Sequence, residues 1–224
     1  DAQASMREVK RKYSYSKYAR LAELRIADAD FEQEKFTDAI REYKDFIHAH
    51  RSDAEEVEYA RSRIAEGTYN EVPGSVIIGA PEERDQASVV DAYKELNTYL
   101  ADYPSAKGST HVRELLAKIV ARLVRHELYV ARFYLNKDNY DAAIARIQYA
   151  LKNYGPGSGA SQVGVEPDGD LAAEALLLLG QTYLKMHKWA DARQAFQAIV
   201  AGHGESPVTV QARDYLDLLK QRGV

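Results

Sequence analysis

The 224-residue chain offers six histidines, 34 acidic and 30 basic side chains as raw material for acid–base or metal chemistry. Their spacing argues against that use. His48 and His50 stand two apart, so on a helix they point to different sides and cannot share a metal ion. His126-Glu127 lacks the second histidine of a zinc-protease helix. Gly155 to Gly159 is glycine-rich, but no Lys-Ser/Thr follows to complete a phosphate loop. The acid pairs Glu55-Glu56 and Glu82-Glu83 read as solvated charge rather than as a poised acid and base. Cysteine is absent, which removes disulfides, thiolate metal sites and cysteine nucleophiles together. The expectation is a chain that is no enzyme and needs no metal or cofactor.

Binding chemistry remains. Tyr59, Arg63 and Tyr69 lie within about three turns if their segment is helical. They would place a guanidinium fork, which meets a carboxylate through two hydrogen bonds, beside aromatic surface. Further along, Arg122, Arg125 and Arg132 are spaced three and seven apart and share a helix face, with Arg146 on the following helix. That basic stripe suits an acidic partner surface. The chain also starts basic, with Arg7, Lys10, Arg11, Lys12, Lys17 and Arg20, a pattern that suits anionic lipid headgroups or the end of a cut helix.

The elements that must position these residues are helical. Hydrophobic residues make up 46% and charged residues 29%, as in folded chains that stay in water, and the net charge of −4 lacks the basic excess of a nucleic-acid binder. No apolar run approaches the ~20 residues that span a bilayer. The chain begins Asp1-Ala2-Gln3 without an initiator Met, as expected of a processed or trimmed product. Sixteen tyrosines dominate the aromatic content, which suits thin layers where a ring packs and its hydroxyl stays wet.

Self-similarity sets the architecture. Leu176, Leu179, Gly180 and Tyr183 fall on one helix face, and Trp189, Ala192, Phe196 and Ile199 on a second. The same grid recurs at Glu127, Val130, Ala131, Tyr134 with Ala143, Ile147, and at Glu23, Ile26, Ala27, Asp30 with Ala39, Tyr43, Phe46. In these three units nine residues separate the last position of the first helix from the alanine of the second. A fourth copy, Arg61, Ile64, Ala65, Thr68 with Ala92, Leu96, Tyr99, carries 15 extra residues in its turn. The grid matches the tetratricopeptide (TPR) pattern. It predicts an all-α, TPR-type α-solenoid of antiparallel helical hairpins. About four full repeats are expected, plus a remnant of an earlier one and a C-terminal capping helix.

The expected boundaries are a remnant at 1–16, then an N-terminal pair of repeats over 17–108 with an insertion at 70–86. A long helix and third repeat cover 109–154, a flexible Gly-rich insertion 155–169, and the last repeat with its cap 170–224. The long helix runs from Ser109 to about Asn136, roughly 40 Å. TPR stacks present the first helix of each hairpin along a concave groove. Here that face holds Leu21, Leu24, Arg25, Asp28 and Phe31, then Tyr59, Arg63 and Tyr69. Leu24, Arg25, Phe31, Tyr59, Arg63 and Tyr69 are therefore the candidate peptide-binding residues, and Arg122, Arg125, Arg132 and Arg146 the candidate partner-docking residues.

Several segments resemble one TPR family, the BamD-type lipoproteins of the outer-membrane β-barrel assembly machinery. These are Lys12 to Ala19 running on to Arg25 to Ala29, Phe36 to Ile47, Glu83 to Gln86 with Ala92 to Pro104, and His126 to Leu135 with Tyr140 to Arg146. The chain departs from that family in lacking prolines around Tyr13 to Lys17, in its longer Gly-rich loop, and in having no lipid-bearing Cys. The resemblance implies a periplasmic protein tethered to the outer membrane by an upstream lipid alone. It implies a scaffold that binds the periplasmic domains of the central barrel-assembly protein, other assembly lipoproteins, and unfolded outer-membrane proteins through a C-terminal β-signal. The periodicity by itself fits equally a co-chaperone or signalling adaptor that takes peptide in its groove.

Overall fold

The computed structural model describes residues 2–13, 16–74, 81–166 and 168–223. Among them every regular element is helical. In chain order they are α1 (Ala2–Lys12), α2 (Lys17–Glu32), α3 (Phe36–Ala49), α4 (Ala54–Asn70), α5 (Ala87–Asp102), α6 (Ser109–Leu135), α7 (Tyr140–Tyr154), α8 (Gly159–Gln162), α9 (Gly169–Lys185), α10 (Trp189–Gly202) and α11 (Thr209–Gln221). A single 3₁₀ turn, Pro81–Glu83, precedes α5. The chain divides into two compact units, Asp1–Gly74 with Asp85–Leu116, and Ser75–Arg84 with Ala117–Val224, so the boundary falls inside α6.

In the first unit α1 packs on α2, α2 on α3, α3 on α4 and α4 on α5. Its core gathers Leu24, Phe31, Ile40, Tyr43, Phe46 and Ile64 around the small residues Ala27, Ala39 and Ala60. In the second unit α7 packs on α9, α9 on α10 and α10 on α11. Phe196, Ile199, Leu177 and Leu219 fill its C-terminal core around Ala173, Ala192 and Ala212. Small residues set how closely the helices approach. A Cβ at Gly180 would lie 2.4 Å from the Phe196 ring, and one at Gly67 would lie 3.1 Å from Ile40.

The repeat is written in the backbone as well as in the side chains. Glu34, Asp138 and His187 all take left-handed φ, 61°, 55° and 58°. Each stands two residues before the second helix of its hairpin. Beside them Lys35 N donates to Asp30 O, Asn139 N to Tyr134 O, and Lys188 N to Tyr183 O, at 2.9, 3.0 and 2.9 Å. These bonds close each first helix in the Schellman manner. The positions Asp30, Tyr134 and Tyr183 are those from which the nine-residue interval is counted.

A second recurring joint links one hairpin to the next helix. The Ser109 hydroxyl donates to Tyr103 O, and the Thr209 hydroxyl donates to His203 O at 2.6 Å. Both hydroxyl residues are buried and sit six positions after their acceptor. Ser161 repeats the geometry toward Gly155 O at 3.4 Å. The stretch 155–169 therefore differs from the flexible loop expected of its glycines. It opens as the first turn of a repeat helix, α8, with Ala160 1% exposed. The turn then breaks, and Val165, 4% exposed, packs into the fold before α9 begins. Asp168 caps α9 by accepting from the backbone N–H groups of Asp170 and Leu171 at 3.1 Å. Of the insertion at 70–86, residues 75–80 lie outside the described residues. Its far end is held where His126 Nδ1 hydrogen-bonds Glu82 O at 2.7 Å.

Candidate functional site

Within the first unit, α2 and α4 present a shallow cleft lined by Lys17, Leu21, Leu24, Arg25, Asp28, Glu55, Glu56 and Tyr59. Helical spacing builds its α2 wall, because Leu21, Leu24, Arg25 and Asp28 recur at three- and four-residue intervals. The first turn of α4 supplies Glu55 and Glu56, which also complement the positive end of that helix.

A polar network forms the floor. Asp28 Oδ1 accepts from the Tyr43 hydroxyl at 2.6 Å and from the Tyr59 hydroxyl at 2.7 Å. Its Oδ2 pairs with Arg25 Nη1 at 3.0 Å. Arg63 Nε donates to the Tyr43 oxygen at 3.4 Å, while its two terminal nitrogens pair with Glu66 at 2.9 Å and Glu32 at 3.2 Å. The Arg63 guanidinium also lies 3.6 Å from the centre of the Phe31 ring. Burial, and then the hydrogen bond to Asp28, push Tyr43 well above the ordinary tyrosine range and Tyr59 up to about 12. Both phenols are therefore neutral donors at physiological pH, and one carboxylate on α2 ties α3 and α4 to it.

This geometry corrects the expected site in two ways. Arg63 does not offer a free fork: its side chain is 17% exposed and holds two carboxylates, a phenol and a ring. Leu24 and Phe31, 6% and 7% exposed, belong to the core, because the α2 face that meets α3 and α4 includes them. Leu24 reaches the cleft only as part of its floor. Tyr69 is half-buried towards the end of α4. Arg25 and Tyr59 stay accessible, with the Arg25 side chain 67% exposed beyond its contact with Asp28. Of the two guanidinium groups, that of Arg25 is the more exposed. Sequence reasoning missed Asp28 as the hub, since its partners lie 15 and 31 residues away. It also read Glu55 and Glu56 only as solvated charge.

In the second unit the four arginines of the basic stripe separate. Arg132 hydrogen-bonds Glu174, and Arg146 pairs with the buried Glu127 at 3.3 Å. Arg122 is half-buried, and Arg125 is exposed. Beside Arg125 on α6 stand two aromatic side chains that the charge pattern did not single out, Tyr129 at 39% and Phe133 at 52% exposure. Lys137 Nζ lies 5.9 Å from the Phe133 ring centre. The four-residue spacing of Arg125, Tyr129 and Phe133 puts these three along one side of α6, with Lys137 in the turn just beyond its end. Among the described residues there is no cluster of His, Asp and Glu that could hold a metal ion.

Comparison with known proteins places this geometry. Residues 131–207 match a tetratricopeptide repeat model. Two curated relatives are outer membrane protein assembly factors named BamD. The one from Pasteurella multocida is 29% identical over 104 residues, 46% of this chain and 35% of the relative. The one from Xylella fastidiosa is 21% identical over 212 residues, 90% of this chain and 67% of the relative. The first match thus spans about a third of its relative's length and the second about two thirds. Residues 1–162 match the model of a family described as outer membrane lipoprotein, and with most of its length inside that match the chain belongs to this family.

Proposed function

We propose that the chain is a non-catalytic adaptor in outer-membrane protein assembly, at the periplasmic face of the membrane and lipid-anchored upstream. In this reading the α2–α4 cleft takes an extended segment of an unfolded outer-membrane protein. The observation that carries it is the pairing of exposed apolar surface, Leu21 and Tyr59 at 39% and 36%, with the accessible guanidinium of Arg25 on a rigid floor. An unfolded β-barrel segment ending in an aromatic side chain and a carboxylate presents complementary groups. The ring packs on Leu21 and Tyr59, and the carboxylate meets Arg25. Arg25, Tyr59 and, at the margin, Tyr69 contact the segment. Leu24, Phe31 and Arg63 shape the surface from beneath.

Folded partners dock elsewhere in this reading. The α6 face of Arg125, Tyr129 and Phe133, with Arg122, Arg132 and Arg146 around it, suits an acidic surface with apolar anchors. The periplasmic domains of the central barrel-assembly protein and the other assembly lipoproteins are the proposed occupants. Photo-crosslinking tests the cleft. A photoreactive residue at Leu21 should capture an unfolded outer-membrane protein, and one at Val210, 64% exposed in the other unit, should not. Equal capture at both would favour a generic sticky surface over a site.

A further inference from the structure

At the start of the first unit, α1 ends and α2 begins through a tight turn in which Ser16 N donates to Tyr13 O at 2.8 Å and Ser16 caps α2. The turn brings Arg11, Lys12 and Tyr13 to the same end of the unit as Lys17 and Tyr18. All five are exposed. Among the described residues of this unit the two rings are the most exposed large apolar groups, Tyr13 at 55% and Tyr18 at 74%. Lys12 Nζ sits 5.9 Å from the Tyr13 ring centre. No acidic residue occurs between Val9 and Ala22. Two neighbouring cations are used otherwise. Arg20 is bound to both carboxylate oxygens of Asp53 at 3.1 Å. Arg7 lines a cleft against Glu23, Glu42 and Asp45. Arg11, Lys12 and Lys17 are thus exposed beside two tyrosines, with Glu8 one turn back on α1 and with Glu55 and Glu56 across the cleft that Lys17 also lines.

We propose that this patch is a membrane-contact surface, and that Arg11, Lys12, Tyr13, Lys17 and Tyr18 rest on a bilayer carrying anionic phospholipid headgroups. The chemistry of the patch selects that occupant. Lysine and arginine near an anionic leaflet are attracted by its surface potential, and tyrosine partitions to the headgroup level with its ring inward and its hydroxyl in water. Among the described residues no helix is long and apolar enough to cross a membrane, so the contact is peripheral. A basic patch of this kind adds an electrostatic contact to the lipid anchor that a lipoprotein family implies. The basic start of the chain suited either anionic headgroups or the end of a cut helix, and the exposed tyrosines beside it favour the first.

Co-sedimentation with vesicles tests this on the chain as it stands, without a lipid. Vesicles of pure phosphatidylcholine are compared with vesicles containing 30% phosphatidylglycerol, at low and high salt. The expected result is partitioning to the anionic vesicles only, lost at high salt. Each neutralised cation should weaken it about fivefold, so Lys12→Gln with Lys17→Gln weakens it about 25-fold, and Tyr13→Ser with Tyr18→Ser weakens it further. Helix content by circular dichroism should stay unchanged, because these side chains are exposed. Lys118→Gln with Lys137→Gln, and Arg25→Gln with Tyr59→Ala, should leave vesicle binding intact. The second pair tests whether vesicles use the rest of the peptide cleft, whose edge Lys17 shares. Equal binding to both vesicle types, no binding to either, or equal loss in the Lys118 and Lys137 variant would overturn the proposal. So would tighter binding of soluble polyglutamate than of the anionic vesicles, which would make the patch a protein-docking site.

Discussion

Gly180→Ala separates a packing requirement from a helix preference. In an open helical position the change should stabilise, since alanine exceeds glycine by about 1 kcal/mol in helix propensity. At Gly180 the new methyl would stand 2.4 Å from one Phe196 carbon and 2.7 Å from the next. Phe196 cannot swing away. It is 0% exposed and stacked on Tyr215, with ring centroids 4.8 Å apart and planes 10° from parallel. Overpacking of this kind costs about 1–3 kcal/mol. Set against the propensity gain, the net loss is up to about 2 kcal/mol, and in a chain of this size the thermal midpoint should fall by up to roughly 8 °C. Gly202, the last residue of α10, provides the control, because a Cβ there meets nothing within 4 Å. Gly202→Ala should be neutral or slightly stabilising. Phe196→Leu should make the alanine at 180 less costly than it is beside phenylalanine, a coupling read from a double-mutant cycle. A Gly180→Ala protein more stable than the parent by the full propensity gain of about 1 kcal/mol would refute the close approach of α9 and α10.

Three further outcomes follow from the same physics. Burial first, and then the Asp30 carboxylate, raise Glu42 above the ordinary value of 4.5, against the pull of Arg7 and Arg41. A raised carboxyl holds its proton better folded than unfolded, so its contribution is present below the ordinary value and lost as pH rises through the folded one. Glu42→Gln should therefore melt above the parent at pH 7, with the gap closing as pH falls below about 4.5. Asp28→Asn leaves the buried Tyr43 hydroxyl and the Tyr59 hydroxyl sharing a weaker acceptor, and should cost about 1–3 kcal/mol in denaturant unfolding. Glu34→Gly, Asp138→Gly and His187→Gly each relieve a left-handed residue and should each stabilise by about 0.5–1 kcal/mol, with circular dichroism as the readout.

The hairpins were legible because a repeat writes its packing into sequence. Ala39, Ala143 and Ala192 are all 0% exposed, and the pattern needs small residues where helices cross. The same logic extends to Gly180, whose absent side chain is the space that Phe196 fills. The Gly-rich stretch was less legible. Glycine and proline announce a break in the helix, but not that Ser161 would restart a repeat joint or that Val165 would find an apolar site. The candidate site was legible only in part. Arg63 was expected on the groove face as a free fork, yet spacing along one helix cannot show that Glu32 and Tyr43 on other helices already occupy it. Exposure was equally hidden. Leu21 and Leu24 share one apolar pattern, and only the packing of α3 and α4 decides that one is open and the other buried.

The central claim is that the α2–α4 cleft binds an unfolded outer-membrane protein segment through Arg25 and Tyr59. Calorimetric titration with a peptide ending in a C-terminal β-signal, against a scrambled peptide, tests it most directly. Micromolar binding of the first peptide alone is expected, weakened about tenfold by Arg25→Gln, the loss of one charge-assisted contact worth about 1.4 kcal/mol. Tyr59→Ala should weaken it similarly, and Arg125→Gln should leave it unchanged. Binding that ignores Arg25 and Tyr59, or equal affinity for the scrambled peptide, would contradict it.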